Sequence, residues 1–233
     1  MPYQSVFRSG LLAGQTIIVT GGGSGIGRCT AHELAALGAH VALVGRTAEK
    51  LETVKAEIVA DGGSASAHRC DIRDELAVGA TIDAVLQSRG RLDGLVNNAG
   101  GQYRTAMKTI STKGFEAVVR SNLTGGFIFM REAYLRWMEA HGGAIVNIIA
   151  DIWHGVPMQR YGTESEVSAA IVYLLSPAAA YITGSCVRVD GGTPNARNTW
   201  KLEPHARSQP FEAFHRATLP KLLSPSTQGE PTT

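Results

Sequence analysis

An α/β fold, in which a doubly wound parallel sheet carries helices on both faces, follows from two observations in this 233-residue chain. Short β-branched runs alternate strictly with longer amphipathic ones over residues 16–100, and a glycine-rich stretch, TGGGSGIG at 20–27, falls between the first run and the first amphipathic segment. Strand, helix, strand in alternation builds parallel pairs through right-handed crossovers and buries both faces of the sheet.

The expected strands are TIIVT (16–20), HVALVG (40–45), SAHRC (66–70) and LDGLVNN (92–98), separated by helices over 25–37, 47–60 and 74–89. A long helical stretch runs from about Thr112 to Ala140, with a break expected near Gly125-Gly126, and leads to the strand AIVNIIA (144–150). In TESEVSAAIVYLLS (163–176), Thr163 and Glu166 have the spacing of a capping box, which satisfies the free N–H groups at a helix entry. Val167, Ala170, Ile171, Leu174 and Leu175 then form one apolar face, and Pro177 stops the helix. CVRVDGG (186–192) has the pattern of a last strand and turn. Residues 1–192 are therefore expected to form one domain. From Thr193 the tail is rich in Pro, Ser, Thr and charge, and 193–233 is expected to be an irregular extension that packs Trp200, Phe211 and Phe214 locally.

Composition narrows the function classes. With 44% hydrophobic and 18% charged residues the chain can bury one sizeable core. Its formal net charge of +2 is small, and Lys and Arg are dispersed among Asp and Glu, so no nucleic-acid footprint is present. The three cysteines, Cys29, Cys70 and Cys186, are odd in number and unpaired in spacing, which suits buried thiols in a reducing compartment. No apolar run is long enough for a membrane span, and a cytoplasmic protein is the expectation.

The glycine stretch carries the strongest chemical signal. Gly21, Gly25 and Gly27 follow the spacing G-x-x-x-G-x-G directly after a strand and at the opening of a helix. Residues without Cβ let the chain turn tightly and approach a pyrophosphate, and the helix N-terminus presents unpaired N–H groups to the anion. That context makes the fold Rossmann-like. A dinucleotide site selective for NAD places Asp or Glu at the end of the second strand, whereas here the residues are Val44, Gly45 and Arg46. A guanidinium in that place favours the 2′-phosphate of NADP(H) over NAD(H); the alternative is that Arg46 is a solvated residue opening the next helix.

TGGGSGIG (20–27), NNAG (97–100), SNLTG (121–125), IVNI (145–148) and ITG…VDGG (182–192) occur together in one order, and with them the chain resembles the short-chain dehydrogenase/reductase family. Within it, NNAGGQYRTAMKTISTKGFEAV and GGAIVNII are similar to the branch of trans-2-enoyl-CoA reductases. The resemblance implies that Gly21, Ser24, Gly25, Ile26 and Gly27 line the pyrophosphate and that Arg46 selects NADP(H). It implies that Asp71 bonds the adenine amino group with Ile72 beside the ring, and that Asn98, Ala99 and Gly100 stabilise the sheet and contact the adenosine ribose. Asn122 matches the family's active-site Asn. For Asp71 a helix N-cap is the competing role, and for Asn122 a mid-helix amide bonding backbone. The implied activity is NADP(H)-dependent reduction of a carbonyl or 2-enoyl thioester, with a small-molecule, acyl-CoA-like substrate of lipid metabolism. Homo-oligomers in this family pair through two long helices, of which 112–140 is present.

The family's proton-transfer pair is absent. A Tyr exchanges the proton while a Lys four residues on lowers its pKa and holds the nicotinamide ribose. The positions four after Tyr3, Tyr103, Tyr134, Tyr161, Tyr173 and Tyr181 are Phe7, Met107, Met138, Ser165, Pro177 and Ser185. Ile149 and Ala150 stand where the family's Ser is expected. Between Pro157 and Gln159 the family carries several dozen further residues, including the catalytic helix and the next parallel strand, so that strand's loss should leave a gap in the sheet or force the last strand to pair elsewhere. Asp151, His154 and Tyr161 on the short connector have proton-transfer groups but read better as solvated loop residues. Two readings stay open: a reductase with impaired proton transfer, and a deletion product that binds dinucleotide or a partner without catalysis.

Overall fold

The structure, a computed structural model, describes residues 3–102, 105, 108–149, 156–193 and 208–218. Five parallel strands, β1 (Thr16–Thr20), β2 (His40–Gly45), β3 (Ser64–Arg69), β4 (Gly94–Asn97) and β5 (Ala144–Asn147), are arranged in the order β3-β2-β1-β4-β5. The order reverses between β1 and β4, so the carboxyl ends of those two strands flank the crevice where open α/β sheets bind ligands.

Alternation along the strands divides the core between two faces. Ile17 and Val19 of β1 pack with Val41, Leu43 and Val96 beneath helices α1 (Gly25–Ala36) and α2 (Ala48–Ala60), while Ile18 points the other way, with Ala42, Val44 and Leu95, toward α3 (Glu75–Arg89). All five β1 residues are buried, as expected of a strand covered on both sides.

Asp74 caps α3 by accepting from the Ala77 N–H at 3.1 Å, and Gly90 ends it in the left-handed conformation at φ +69°. The cap role weighed for Asp71 therefore belongs to Asp74. The expected break at Gly125-Gly126 is not a break. Thr112–Val119 (α4), a π-helical turn at Arg120–Thr124, Gly125–Ala133 (α5), a second π turn at Tyr134–Met138 and Glu139–His141 (α6) follow one another directly. Gly125 serves packing instead: a Cβ there would lie 2.7 Å from the Ile72 side chain.

The larger correction concerns the last strand. Among the described residues, 186–192 pair with no strand, and Val187 and Val189 stay 46% and 43% exposed. Among the described residues β5 is a sheet edge, bonded to β4 alone. The turn after 186–189 settles on the connector instead: Met158 N–H donates to the Gly191 carbonyl at 3.3 Å, and Gly192 lies against Pro157.

The helix predicted over 163–176 is α7 (Glu164–Leu175). Its capping box is complete: the Thr163 hydroxyl accepts from the Glu166 N–H at 3.2 Å and Glu166 accepts from the Thr163 N–H at 2.9 Å. It packs against α1, where the fully buried Glu33 carboxylate takes a hydrogen bond from Ser168 and another from Ser5. Residues 208–218 lie over the same two helices, with Phe214 buried against Tyr3 and Cys29 and Phe211 half-buried. Trp200 lies outside the described residues.

Glu166 also takes a bidentate ion pair from Arg160, at 2.6 and 2.8 Å, which with two backbone N–H donors holds its carboxyl down at about 2. A depressed folded-state value contributes stability that is complete above the unfolded value of 4.5 and is lost as pH falls through about 2. Glu166→Gln is expected to cost about 1–2 kcal/mol near neutral pH by urea titration, with the two proteins converging as pH falls through that window.

Candidate functional site

The carboxyl ends of β1 and β4 are tied by a single hydroxyl. Thr20 Oγ1 accepts the N–H groups of Asn98 and Ala99 at 3.0 and 2.9 Å and donates to the Val96 carbonyl at 3.3 Å. Asn98 returns the bond, its Nδ2 donating to the Thr20 carbonyl at 3.0 Å. On the other side Gly21 N–H reaches the Val44 carbonyl at 2.8 Å, so the glycine turn is fastened to both neighbouring strands.

This fastening explains the glycines. Gly21 has φ +69°, and a Cβ there would meet Asn98 Nδ2 at 2.8 Å. At Gly27 a Cβ would collide with the Gly21 carbonyl oxygen and with Asn98 Nδ2. Gly25, at φ +55°, is exposed instead, and the nearest atom to a Cβ there is Glu164 Oε1 at 3.8 Å. Ser24, also exposed, is the N-cap of α1 with no side-chain cap bond, and Ile26 is half-buried against the core. The α1 entrance carries no acid in its first turn, so its backbone donors face an open surface suited to an anion. Gly21, Ser24, Gly25, Ile26 and Gly27 thus come together as one turn.

Arg46 is exposed just past β2. Asp71 is engaged by Arg73: Nε donates to Oδ1 at 2.9 Å, Nη2 to Oδ2 at 2.5 Å, and the Arg73 N–H to Oδ1 at 3.1 Å. These bonds, with a smaller contribution from Arg46, hold the Asp71 carboxyl down at about 2. A hollow of about 330 Å³ opens beside it, lined by Asp71, Arg73, Asp74 and Arg120. Ile72 does not line this hollow; it is buried against Gly125. Asn122 sits in the Arg120–Thr124 π turn, and its Oδ1 accepts the Gly101 N–H at 2.9 Å, so it holds the loop that contains Gly100. The amide-to-backbone role is the one it plays, in a helical irregularity of a kind frequent at functional sites.

Several contributors are not singled out by the sequence reading. Thr20 is one, and its place as the last strand residue before the glycines is the signal that could have found it. Asn97 and Asn147 stand in register on β4 and β5 and are joined at 3.0 Å, with Asn97 also reaching the Gly126 carbonyl at 3.2 Å. Glu164 is another. Burial pushes its carboxyl up, and its nearness to Gly25 depends on how α7 packs on α1, which no local pattern encodes. Of the connector groups, Tyr161 is 47% exposed, while Asp151 and His154 lie outside the described residues, as does Ala150. Ile149 is 91% exposed.

Gly27→Ala is expected to lower stability by about 3 kcal/mol or more, because a Cβ there meets the Gly21 carbonyl and backbone must move. Gly25→Asp should cost only about 1–2 kcal/mol from its positive φ. Thermal melts of the two variants check the contrast, and equal losses would mean that the turn is not packed as described.

The comparisons with known proteins agree with this architecture. Residues 15–160 match the family model described as short chain dehydrogenase, and residues 147–194 match the one described as Enoyl-(Acyl carrier protein) reductase. A 2,5-dichloro-2,5-cyclohexadiene-1,4-diol dehydrogenase of Sphingobium indicum is 39% identical over 196 residues, covering 82% of this chain and 76% of that protein. A peroxisomal 2,4-dienoyl-CoA reductase of Danio rerio is 26% identical over 258 residues, covering 82% of this chain and 85% of that protein. Among solved structures, a citronellol catabolism dehydrogenase of Pseudomonas aeruginosa PAO1 is 48% identical with a TM-score of 0.78, covering 81% of this chain and 98% of that one. A 7α-hydroxysteroid dehydrogenase solved in complex with NADH is 25% identical with a TM-score of 0.73, covering 80% and 98%. Among the described residues no helix is long and apolar enough to cross a membrane. By its family match and its parallel sheet, this chain belongs to the short-chain dehydrogenase/reductase family of oxidoreductases.

Proposed function

We propose that this chain is an NADP(H)-dependent oxidoreductase acting on a carbonyl or 2-enoyl thioester substrate, with its proton-transfer step impaired. The observation that carries the cofactor half is the glycine turn. Its tight approach to Asn98 leaves no room for a Cβ at Gly21 or Gly27, while Gly25 and the α1 entrance face outward. A dinucleotide fits there: Gly21, Ser24, Gly25, Ile26 and Gly27 would hold its pyrophosphate, and Asn98, Ala99 and Gly100 its adenosine ribose. Asp71 would meet the adenine once Arg73 yields part of its grip. When bound, the nicotinamide supplies or accepts a hydride; the residues of this chain bind and orient it.

Arg46 supports NADP(H), since a guanidinium rather than a carboxylate stands beyond β2. The substrate class draws its support from the relatives, among which are a dienoyl-CoA reductase and two dehydrogenases named for a diol and for citronellol catabolism. An acyl-CoA-like small molecule is the reading we favour.

The second reading, a dinucleotide-binding deletion product without turnover, is supported by the absence of any Tyr-x-x-x-Lys. It also draws on the span of the alignment to the Danio rerio protein, which takes in only 82% of this 233-residue chain yet runs over 258 residues, so several dozen positions of that protein lack a counterpart here.

NADPH oxidation with a short 2-enoyl-CoA and with a 3-ketoacyl-CoA separates the two. Slow turnover that Gly25→Asp abolishes supports the reductase, because a carboxylate at that turn opposes a pyrophosphate; binding without turnover supports the second reading. Arg46→Asp is expected to weaken NADPH on the order of tenfold or more while changing NADH little, by fluorescence titration. Equal losses would remove the argument for the 2′-phosphate. Glu164→Gln removes a carboxylate from the edge of the same turn and is expected to tighten NADPH by roughly three- to tenfold in that titration.

A further inference from the structure

Away from the glycine turn, three side chains from three parts of the chain converge on one point. His32 of α1, Asp61 just past α2 and His215 of the C-terminal segment each offer one ligand atom, and these atoms all lie within 4.8 Å of one another. Asp61 Oδ2 is 3.5 Å from His32 Nδ1 and 3.0 Å from His215 Nε2. Around a tetrahedral zinc ion with bonds of about 2.1 Å, neighbouring ligand atoms sit roughly 3.4 Å apart. Two of the three edges, at 3.5 and 3.0 Å, are therefore close to that length, and the main adjustment is to bring the two imidazoles together.

The surroundings fix these groups as outer-sphere partners would. Glu57 Oε2 lies 3.1 Å from His32 Nε2, so that nitrogen carries the proton and Nδ1 is left as the ligating atom. Glu57 is in turn clamped by Arg28 at 2.8 and 2.9 Å. His215 is presented by a docked backbone: Ala213 and Phe214 donate their N–H groups to Ser165 Oγ at 3.1 Å, and the Phe214 ring packs on Tyr3 and His32. A cavity of about 120 Å³, lined by Tyr3, His32, Ile58, Asp61 and Gly63, adjoins the cluster and has room for a water as fourth ligand. A cationic group already occupies the point of convergence, since Arg216 Nε donates to His215 Nε2 at 3.1 Å and to Asp61 Oδ2 at 3.3 Å.

We infer that His32, Asp61 and His215 form a binding site for a zinc-class divalent cation that clips the C-terminal segment to α1 and α2. The entering ion displaces the Arg216 Nε–H from the two lone pairs, while Arg216 Nη2, 3.0 Å from Asp61 Oδ1, is placed to keep the carboxylate oriented.

The test uses the full chain without an affinity tag, freed of metal with chelator and titrated with Zn²⁺ alone by calorimetry, in parallel with Co²⁺ absorption. One equivalent of zinc is expected to bind with micromolar or tighter affinity and to raise the thermal midpoint, and Co²⁺ is expected to give the intense visible bands of a tetrahedral site. His215→Ala and Asp61→Asn should each weaken zinc at least tenfold and remove those bands. His141→Ala, at a histidine stacked on Trp137 elsewhere, should change neither. His215 belongs to the docked segment and not to the sheet, so its variant remains folded, as far-ultraviolet circular dichroism will verify. Absence of stoichiometric binding, or binding that survives His215→Ala and Asp61→Asn unchanged, overturns the inference and leaves the cluster as an ion-pair network closed by Arg216.

Discussion

The close approach of the first strand-to-helix turn to the end of β4 is the constraint on which the rest of the carboxyl edge depends. Thr20 binds two successive N–H groups of the Asn98-Ala99 pair, and Gly21 and Gly27 leave the space in which Asn98 lies. The crevice at the strand-order reversal is thereby given a floor before any ligand arrives. Asn122 extends the same arrangement by one layer, because it fixes the Gly101 N–H just beyond. Loss of a tie in this series would loosen those outside it, which is why small residues and short amides gather here.

At the opposite side of the sheet the arrangement stops abruptly. Among the described residues β5 has a neighbour on one side, Ile149 stands in solvent, and the apolar residues Val187 and Val189 join no ladder. An edge strand with unpaired backbone groups normally carries charge or a covering loop to discourage association. Here the described cover is slight, a turn at Asp190–Gly192 resting on Val156–Met158. Among the described residues the β1–β4 edge is therefore closely tied, while the β5 edge is sparsely covered.

Much of this was legible in the residues. The four strands of 16–97 and the helices between them declare themselves by period, and the Thr163/Glu166 capping box is a local device with a local signature. The glycine turn was legible because positive φ and close approach both require a missing Cβ. What could not be read was set by partners far away in sequence. CVRV has a strand's alternation, but alternation cannot supply the neighbour that a strand needs. Gly125 looks like a helix breaker until Ile72 is seen beneath it. Glu164 reaches Gly25, and His215 reaches His32 and Asp61, through packing that no window of a dozen residues contains.

The union of α1 with α7 has a consequence for how the chain comes together. Glu33 and Ser168, partners in a buried hydrogen bond, are 135 positions apart, and Ser165 meets Phe214 across a further 49. During synthesis at about 5–20 residues per second, the part of the α1 face that α7 covers stays open for several seconds after the strands can pair. An unlidded apolar surface on a nascent chain is a site for premature association, and closing so long a loop is slow. The order of manufacture thus leaves part of the α1 face open until the last third of the chain is made, and folding yield in the cell will depend on that third.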